Sequence, residues 1–100
     1  MGKIVIWSRL ALKQTEKIHK RILKDSKSLN VADKVINKLL ISSDILENHP
    51  EVYSLDRFKT NNNGTYRAYE VYSYRISYRI SKDKIRILGV RHTSREPLGY

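Results

Sequence analysis

The side chains best suited to chemistry on a phosphodiester are concentrated in the last third of the chain. Residues 66–100 contain six arginines among eight basic residues, one histidine and six of the seven tyrosines. An arginine can stabilise the charge on a pentacoordinate phosphate, and a histidine or tyrosine can move a proton to or from a hydroxyl group. Because RNA carries its own nucleophile in the 2′-hydroxyl, such a set could cleave RNA without a metal ion. The candidate catalytic residues are Arg75, His92, Arg95 and Tyr100.

The same segment supplies candidate contacts to nucleic acid. Arginine is a planar fork that pairs with phosphates and stacks on bases. The candidate nucleic-acid-binding residues are Arg67, Tyr69, Arg79 and Arg91. Structural interpretations stay open beside these roles. Arg75 could cap a sheet or pair with Glu70 or Glu96, and His92 could be an ordinary residue at the end of a strand.

A strict alternation around Arg75 indicates the strand that would carry this chemistry. Residues 74–81 alternate large apolar or aromatic side chains with arginine and serine. Successive side chains on a strand point to opposite faces of the sheet, so this strand has a core face and a cationic face. On the preceding strand, Arg67 and Tyr69 share one side. We expect antiparallel pairing to bring Arg67 and Arg75 onto one surface, where they would grip phosphates.

The rest of the chain supplies elements to support that sheet. A β-branched and aromatic run at 3–7 predicts a first strand, and Ser8 is a plausible N-cap for the helix that follows. Apolar residues at helical spacing predict a second helix, with Asn30 as its possible cap. Residues 1–100 are expected to form one α+β domain of order β-α-α-β-β-β, with a helical hairpin packed on an antiparallel-dominated sheet. The predicted helices span 8–25 and 31–47, and the later strands span 66–71, 74–81 and 85–92.

The amino-acid composition limits the classes of partner and cofactor that the protein can be expected to bind. Twenty Lys and Arg residues against ten Asp and Glu residues give a net charge of +10, which favours a polyanionic partner, either nucleic acid or an acidic protein. The absence of cysteine excludes disulfides and thiolate metal sites and fits a reducing cytoplasm. Three scattered histidines make no metal-ligand spacing, so no metal or cofactor is expected. No apolar run approaches the length of a bilayer span.

Motifs along nearly the whole chain resemble the RelE/ParE superfamily, the toxins of type II toxin–antitoxin modules. The resemblance lies in I-V-I-W-S-R-L-A-L-K at residues 4–13, in the helical hairpin and in N-H-P at 48–50. It continues through Y-R-A-Y-E-V at 66–71, S-Y-R-I-S-Y-R-I at 73–80 and I-R-I-L-G-V-R-H-T-S-R-E-P at 85–97. The W-S-x-x-A opening and the closing R-H-T-S-R-E-P are similar to the ParE branch.

The resemblance implies a cytoplasmic growth-inhibiting toxin held in a hetero-oligomeric complex by a small acidic antitoxin that wraps around it. RelE-like members cleave mRNA in the ribosomal A site, whereas ParE-like members poison DNA gyrase and lack the cleavage residues. Arg75 falls on the central-strand arginine of the RelE branch, Arg95 on its later arginine, and Tyr100 near its tyrosine. Arg67 and Tyr69 replace paired lysines, and no equivalent of the glutamate base of one subgroup is found. Ribosome-dependent mRNA cleavage, gyrase poisoning and an inactive relative kept for complex formation are therefore the three functions to distinguish.

Overall fold

The computed structural model describes residues 2–95 and 99–100 and has the predicted order β-α-α-β-β-β. A short 3₁₀ helix, Asp44–Glu47, follows the second helix. Within the described part of the chain, no helix is long and apolar enough to cross a membrane. The elements are β1 (Ile4–Trp7), α1 (Arg9–Ser26), α2 (Leu29–Ser42), β2 (Tyr66–Val71), β3 (Tyr74–Ile80) and β4 (Lys84–His92).

Serine side chains cap both helices. Ser8 Oγ accepts a 3.1 Å hydrogen bond from the Ala11 amide at the start of α1, which confirms the predicted cap. The predicted Asn30 cap of α2 is wrong. Ser28 Oγ accepts the Val31 amide at 3.2 Å, so the helix begins before Asn30. The predicted single helix over 31–47 also ends earlier, at residue 42, where the chain tightens into the 3₁₀ helix.

The four strands form one mixed sheet in the order β1-β4-β3-β2. β2, β3 and β4 pair as the predicted antiparallel meander, while β1 pairs with β4 in parallel. Both helices pack on one face, which we call the helix face. The other is the outer face. The core on the helix face consists of Ala11, Leu39, Leu46, Tyr69, Ile76, Tyr78, Ile85, Ile87 and Val90.

The register of β2 and β3 overturns one expectation about the arginines. Arg67 lies opposite Tyr78, and Arg75 lies opposite Glu70. Directly opposite residues of an antiparallel pair point to the same side of the sheet, so Arg67 is on the helix face with the buried Tyr78. Arg75 is on the outer face. The two arginines therefore do not share a surface.

Candidate functional site

A loop covers part of the outer face beside β2. The Asp56 amide donates to the Tyr66 carbonyl at 2.9 Å, and the Ala68 amide donates to the Ser54 carbonyl at 3.2 Å. These bonds hold residues 54–56 against the sheet edge in the manner of an additional short strand. The pairing carries the Asp56 side chain over the outer face, where it is almost completely buried.

The Asp56 carboxylate binds two of the candidate catalytic side chains. Its Oδ1 accepts hydrogen bonds from the Arg75 guanidinium and, at 3.0 Å, from the Phe58 amide. Its Oδ2 accepts a 2.6 Å hydrogen bond from the Tyr100 hydroxyl. The ion pair is well shielded, because the side chains of Arg75 and Asp56 are only 14% and 1% exposed. We call Asp56, Phe58, Arg75 and Tyr100 the outer-face cluster.

Main-chain hydrogen bonds also fix Tyr100. Its amide donates to the Phe58 carbonyl at 3.2 Å, and its carbonyl accepts from the Thr60 amide at 2.6 Å and from Lys59 Nζ at 2.9 Å. Burial and the hydrogen bond to Asp56 raise the pKa of the Tyr100 phenol above its ordinary value. The phenol is therefore protonated at neutral pH, and its hydroxyl proton forms the hydrogen bond to the Asp56 carboxylate.

Cations and aromatic rings surround the outer-face cluster. The guanidiniums of Arg57 and Arg75 lie 4.9 and 4.8 Å from the centre of the Phe58 ring. Lys59 and Arg79 lie 4.8 and 4.9 Å from the centre of the Tyr66 ring. Contacts of this kind are attractive because the face of an aromatic ring is negative. Arg79 is exposed, so this part of the outer face presents positive charge to solvent.

His92 and Arg95 line a different site, on the helix face. They border a cleft of about 780 Å³ between α1 and the ends of β3 and β4, which we call the α1 groove. The Ser94 amide donates to His92 Nδ1 at 3.1 Å, so Nδ1 is an acceptor and the ring proton of the neutral histidine is on Nε2. The His92 ring stands edge-on to Tyr74, with 5.3 Å between centroids. Arg75 on β3 and the exposed Arg91 on β4 lie opposite each other in the sheet register. Strand alternation therefore puts both on the side of the sheet away from His92.

Two of the predicted nucleic-acid contacts have structural partners instead. Tyr69 is buried, stacks on Tyr53 with 4.2 Å between ring centroids, and shares a 2.9 Å hydrogen bond with the Ser42 hydroxyl. Burial raises the pKa of Tyr69 to about 12. Arg67 Nη1 donates to the Tyr53 carbonyl at 2.7 Å and to the Glu51 carbonyl at 3.4 Å, which ties the loop to β2. Neither side chain is presented to a ligand on the outer face.

The structure therefore divides the predicted catalytic set in two. Arg75 and Tyr100 meet on the outer face, and His92 and Arg95 line the α1 groove on the other side of the sheet. The residue that sequence reasoning missed is Asp56, which lies in an irregular loop without any periodic pattern. No group of three or more histidine, cysteine, aspartate or glutamate residues suited to hold a metal ion occurs in residues 2–95 and 99–100.

The model of a protein family, described as the ParE toxin of the type II toxin–antitoxin system parDE, matches residues 5–97. The chain belongs to the ParE toxin family. Among curated protein sequences, no significant match is found. The family assignment confirms the resemblance to RelE/ParE toxins that the sequence motifs indicated.

Solved toxin–antitoxin structures share the fold of this ParE-family chain. A chain of the chromosomal ParDE system from P. aeruginosa superposes with a TM-score of 0.74 at 14% identity, covering 91% of this chain and 96% of that one. A chain of the RelBE2 toxin–antitoxin complex from Mycobacterium tuberculosis gives a TM-score of 0.58 at 18% identity, covering 92% and 99%. At these identities the likeness establishes the α+β fold.

Proposed function

We propose that this ParE-family toxin arrests growth by binding its target and performs no RNA cleavage of its own. The target that fits this mode of action is DNA gyrase, because the ParE branch that the sequence motifs resemble consists of gyrase poisons. The toxin would then act in the cytoplasm. The observation that carries the proposal is the Asp56 carboxylate, which engages both Arg75 and Tyr100.

The chemistry of the outer-face cluster supports a structural role for its members. A guanidinium that is buried against a carboxylate has its positive charge largely compensated. It therefore offers little stabilisation to the pentacoordinate phosphate that forms during cleavage. The Tyr100 phenol, with its raised pKa, is a poor general base at neutral pH. Both groups have the partners expected of side chains that hold a loop onto a sheet.

The position of the remaining candidates gives further support. A general acid or base must lie within hydrogen-bonding distance of the atom that it serves. His92 and Arg95 line the helix-face side of the sheet, whereas Arg75 lies on the outer face. A single phosphodiester on either side would meet only part of the set.

One observation favours the rival function, ribosome-dependent mRNA cleavage. The outer face carries exposed cations beside aromatic rings, including Arg79 near Tyr66. Cationic grooves with aromatic platforms are typical of surfaces that bind single-stranded nucleic acid. A cleaving toxin would have to break the Asp56 contacts on the ribosome to release Arg75.

We further propose that the partner of the chain is a small acidic antitoxin, with which it forms a hetero-oligomeric complex. The net charge of +10 supports this partner, because an acidic chain that folds on binding would gain electrostatic complementarity. Expression of the toxin alone should arrest growth, and co-expression of the adjacent gene product should restore it. Normal growth at full expression of the toxin would instead support the inactive relative.

The gyrase proposal is tested by trapping the enzyme on DNA. Purified toxin is incubated with gyrase, ATP and supercoiled plasmid, and the reaction is stopped with detergent and protease. We expect linear DNA to accumulate with toxin concentration, and pre-incubation with the adjacent gene product should suppress it. Absence of linear DNA, together with cleaved message in a translating extract, would replace the proposal with mRNA cleavage.

A further inference from the structure

Arginines lie directly opposite one another at two places on the outer face. Arg79 on β3 lies opposite Arg86 on β4, and Arg75 lies opposite Arg91. Arg79 is four residues from Arg75 on the same strand, so both arginine pairs point to the outer side of the sheet. Like charges that face each other across neighbouring strands destabilise a sheet. The fold itself therefore gains nothing from this arrangement, which points to a ligand.

The outer face holds little acidic counter-charge. Within the described strands, the one acidic residue is the exposed Glu70, which lies opposite Arg75. The other three arginines of the two pairs are exposed, and in the part of the chain that the structure describes none of them forms an ion pair. Arg57 and Lys59 of the adjoining loop add two more cations. A polyanion that covers this face would relieve the repulsion and gain attraction.

The spacing of the two arginine pairs matches a dimension of duplex DNA. Arg75 and Arg79 are four residues apart, which on an antiparallel strand is about 13 Å. The major groove of B-DNA is roughly 12 Å wide, so the two pairs can reach the two strands that border one groove. Between the pairs lie Ser77 and Ala68, opposite each other on β3 and β2. Their small side chains leave room for the approach of a large ligand.

We propose that the outer face binds the phosphate backbone of duplex DNA through Arg79, Arg86 and Arg91. This inference rests on the proposed gyrase target, and it gives the toxin a second contact in the trapped complex, with the DNA that gyrase holds. Arginine suits this role because its planar fork pairs with two phosphate oxygens at once. The contact is independent of base sequence, since phosphates carry no sequence information.

Two other polyanions fit the outer face less well. Single-stranded nucleic acid binds by stacking its bases on aromatic side chains, but the rings of Phe58 and Tyr66 each already have two cations within 4.9 Å of their centres. An acidic protein would need large apolar or aromatic anchors near the centre of the interface. The positions between the arginine pairs hold only Ser77 and Ala68.

The test measures the binding of a fluorescent 20-base-pair DNA duplex to the full toxin by anisotropy, between about 50 and 200 mM salt. The outer-face variant combines Arg79→Gln with Arg86→Gln. The control variant combines Lys13→Gln with Lys20→Gln, which removes the same charge from exposed positions of α1. Thermal unfolding establishes that both variants are folded.

We expect the outer-face variant to bind the duplex at least about tenfold more weakly than wild type at about 0.1 M salt. Each phosphate contact contributes about 0.9 to the slope of log affinity against log salt, so the slope should become shallower by about 1.8. The control should stay within about threefold of wild type and keep its slope. Arg91→Gln, a single exposed substitution, should change the slope by about half as much and provides the test if the double variant does not fold.

Two results of the titration would overturn the proposal. One is failure of wild-type toxin to bind the duplex, and the other is equal binding by wild type and the outer-face variant. Single-stranded RNA of the same length serves as the competing probe. If RNA binds more tightly than the duplex and the outer-face variant loses that binding, the outer face is an RNA surface and the proposal is wrong.

Gyrase assays distinguish failure of the DNA contact from failure of the gyrase target. The outer-face variant should bind DNA-free gyrase as wild type does, and it should require about tenfold more toxin to linearise plasmid. Weaker binding of this variant to DNA-free gyrase would show that the outer face contacts the enzyme, which would overturn the DNA contact. If wild-type toxin linearises no plasmid, the gyrase target is wrong, whereas the duplex titration still decides whether the outer face binds DNA.

Discussion

The Tyr100 hydroxyl donates a 2.6 Å hydrogen bond to Oδ2 of Asp56, a residue 44 positions earlier in the chain. The other oxygen of this carboxylate accepts from Arg75 in the middle of β3. One buried acidic side chain thus joins the loop before β2, a central strand and the last residue. The three groups form a closed polar unit whose charge and protons are already paired, and this pairing supports a toxin that acts by binding.

Removal of the Asp56 charge should destabilise the fold. Asp56→Asn leaves the Arg75 guanidinium without its anionic partner in a site that is 14% exposed, and breaking a buried ion pair from one side costs about 3 kcal/mol. We expect a loss of this size in the free energy of unfolding, measured by urea denaturation. Asp83→Asn, at an exposed turn position, is the control and should change stability by less than about 0.5 kcal/mol. If both variants behave alike, Asp56 does not hold the loop in place.

Tyr100→Phe distinguishes a structural phenol from a catalytic one. The variant keeps the aromatic ring that stands edge-on to Tyr66 and loses only the hydroxyl. A hydrogen bond to a charged group contributes about 2 kcal/mol, so stability should fall by roughly that amount. Growth arrest should persist at a temperature where the variant is folded, because no proton transfer by the phenol is required. Loss of toxicity by a fully folded Tyr100→Phe variant would favour a catalytic role.

Alkaline pH should weaken the core through Tyr69. Burial raises the pKa of Tyr69 to about 12, from an ordinary value of 10.0. The folded state therefore retains the phenolic proton in a pH range where the unfolded state has lost it. The stability associated with this group is fully present below pH 10 and is lost as the pH rises towards about 12. Wild type should accordingly lose part of its stability advantage over Tyr69→Phe across this interval.

Two measurements check the alkaline prediction. Tyrosinate absorbance should show a late-titrating fraction that shrinks in Tyr69→Phe, and urea denaturation should show the two proteins converging in stability above pH 10. Tyr72→Phe, at an exposed turn, serves as the control and should leave the late fraction unchanged. A titration in which every tyrosine ionises near pH 10 would contradict the prediction.

The cap of α2 gives a local test of the helix boundary. Ser28 accepts the Val31 amide at 3.2 Å, whereas Asn30 lies inside the helix. Loss of an N-cap side chain costs about 1 kcal/mol, so Ser28→Ala should lower the unfolding free energy by that amount. Asn30→Ala should be neutral or slightly stabilising, because alanine has the higher helix propensity. Thermal unfolding followed by circular dichroism would measure both, and the reverse order would restore Asn30 as the cap.

The elements of this fold were predictable because their periods are regular. Alternation around Arg75 identified β3, and helical spacing identified α1 and α2. The same alternation correctly placed Arg67 and Tyr69 on one side of β2. The error lay in the register. The two-residue turn at Tyr72 and Ser73 pairs Val71 with Tyr74, which puts Arg67 opposite Tyr78 on the helix face.

The site itself was less predictable, because its organising residue has no local signal. Asp56 lies in an irregular loop, and its partners are distant in sequence. The requirement that a largely buried arginine have an anionic partner does follow from electrostatics. The choice among the acidic residues does not, because it depends on how the loop pairs with β2. The sequence offers Glu70 and Glu96 as possible partners of Arg75, but the structure pairs Arg75 with Asp56. Glu96 lies outside the described residues.

Primer extension on a reporter mRNA in a translating extract, with and without purified toxin, tests most directly whether the toxin cleaves RNA. A ribosome-dependent ribonuclease serves as the positive control, and toxin pre-incubated with the adjacent gene product as the negative one. The proposed binding mechanism predicts an intact message at toxin concentrations that trap gyrase on plasmid DNA. New 3′ ends in phase with codons, which disappear when ribosomes are removed, would contradict it and make this chain an mRNA-cleaving enzyme.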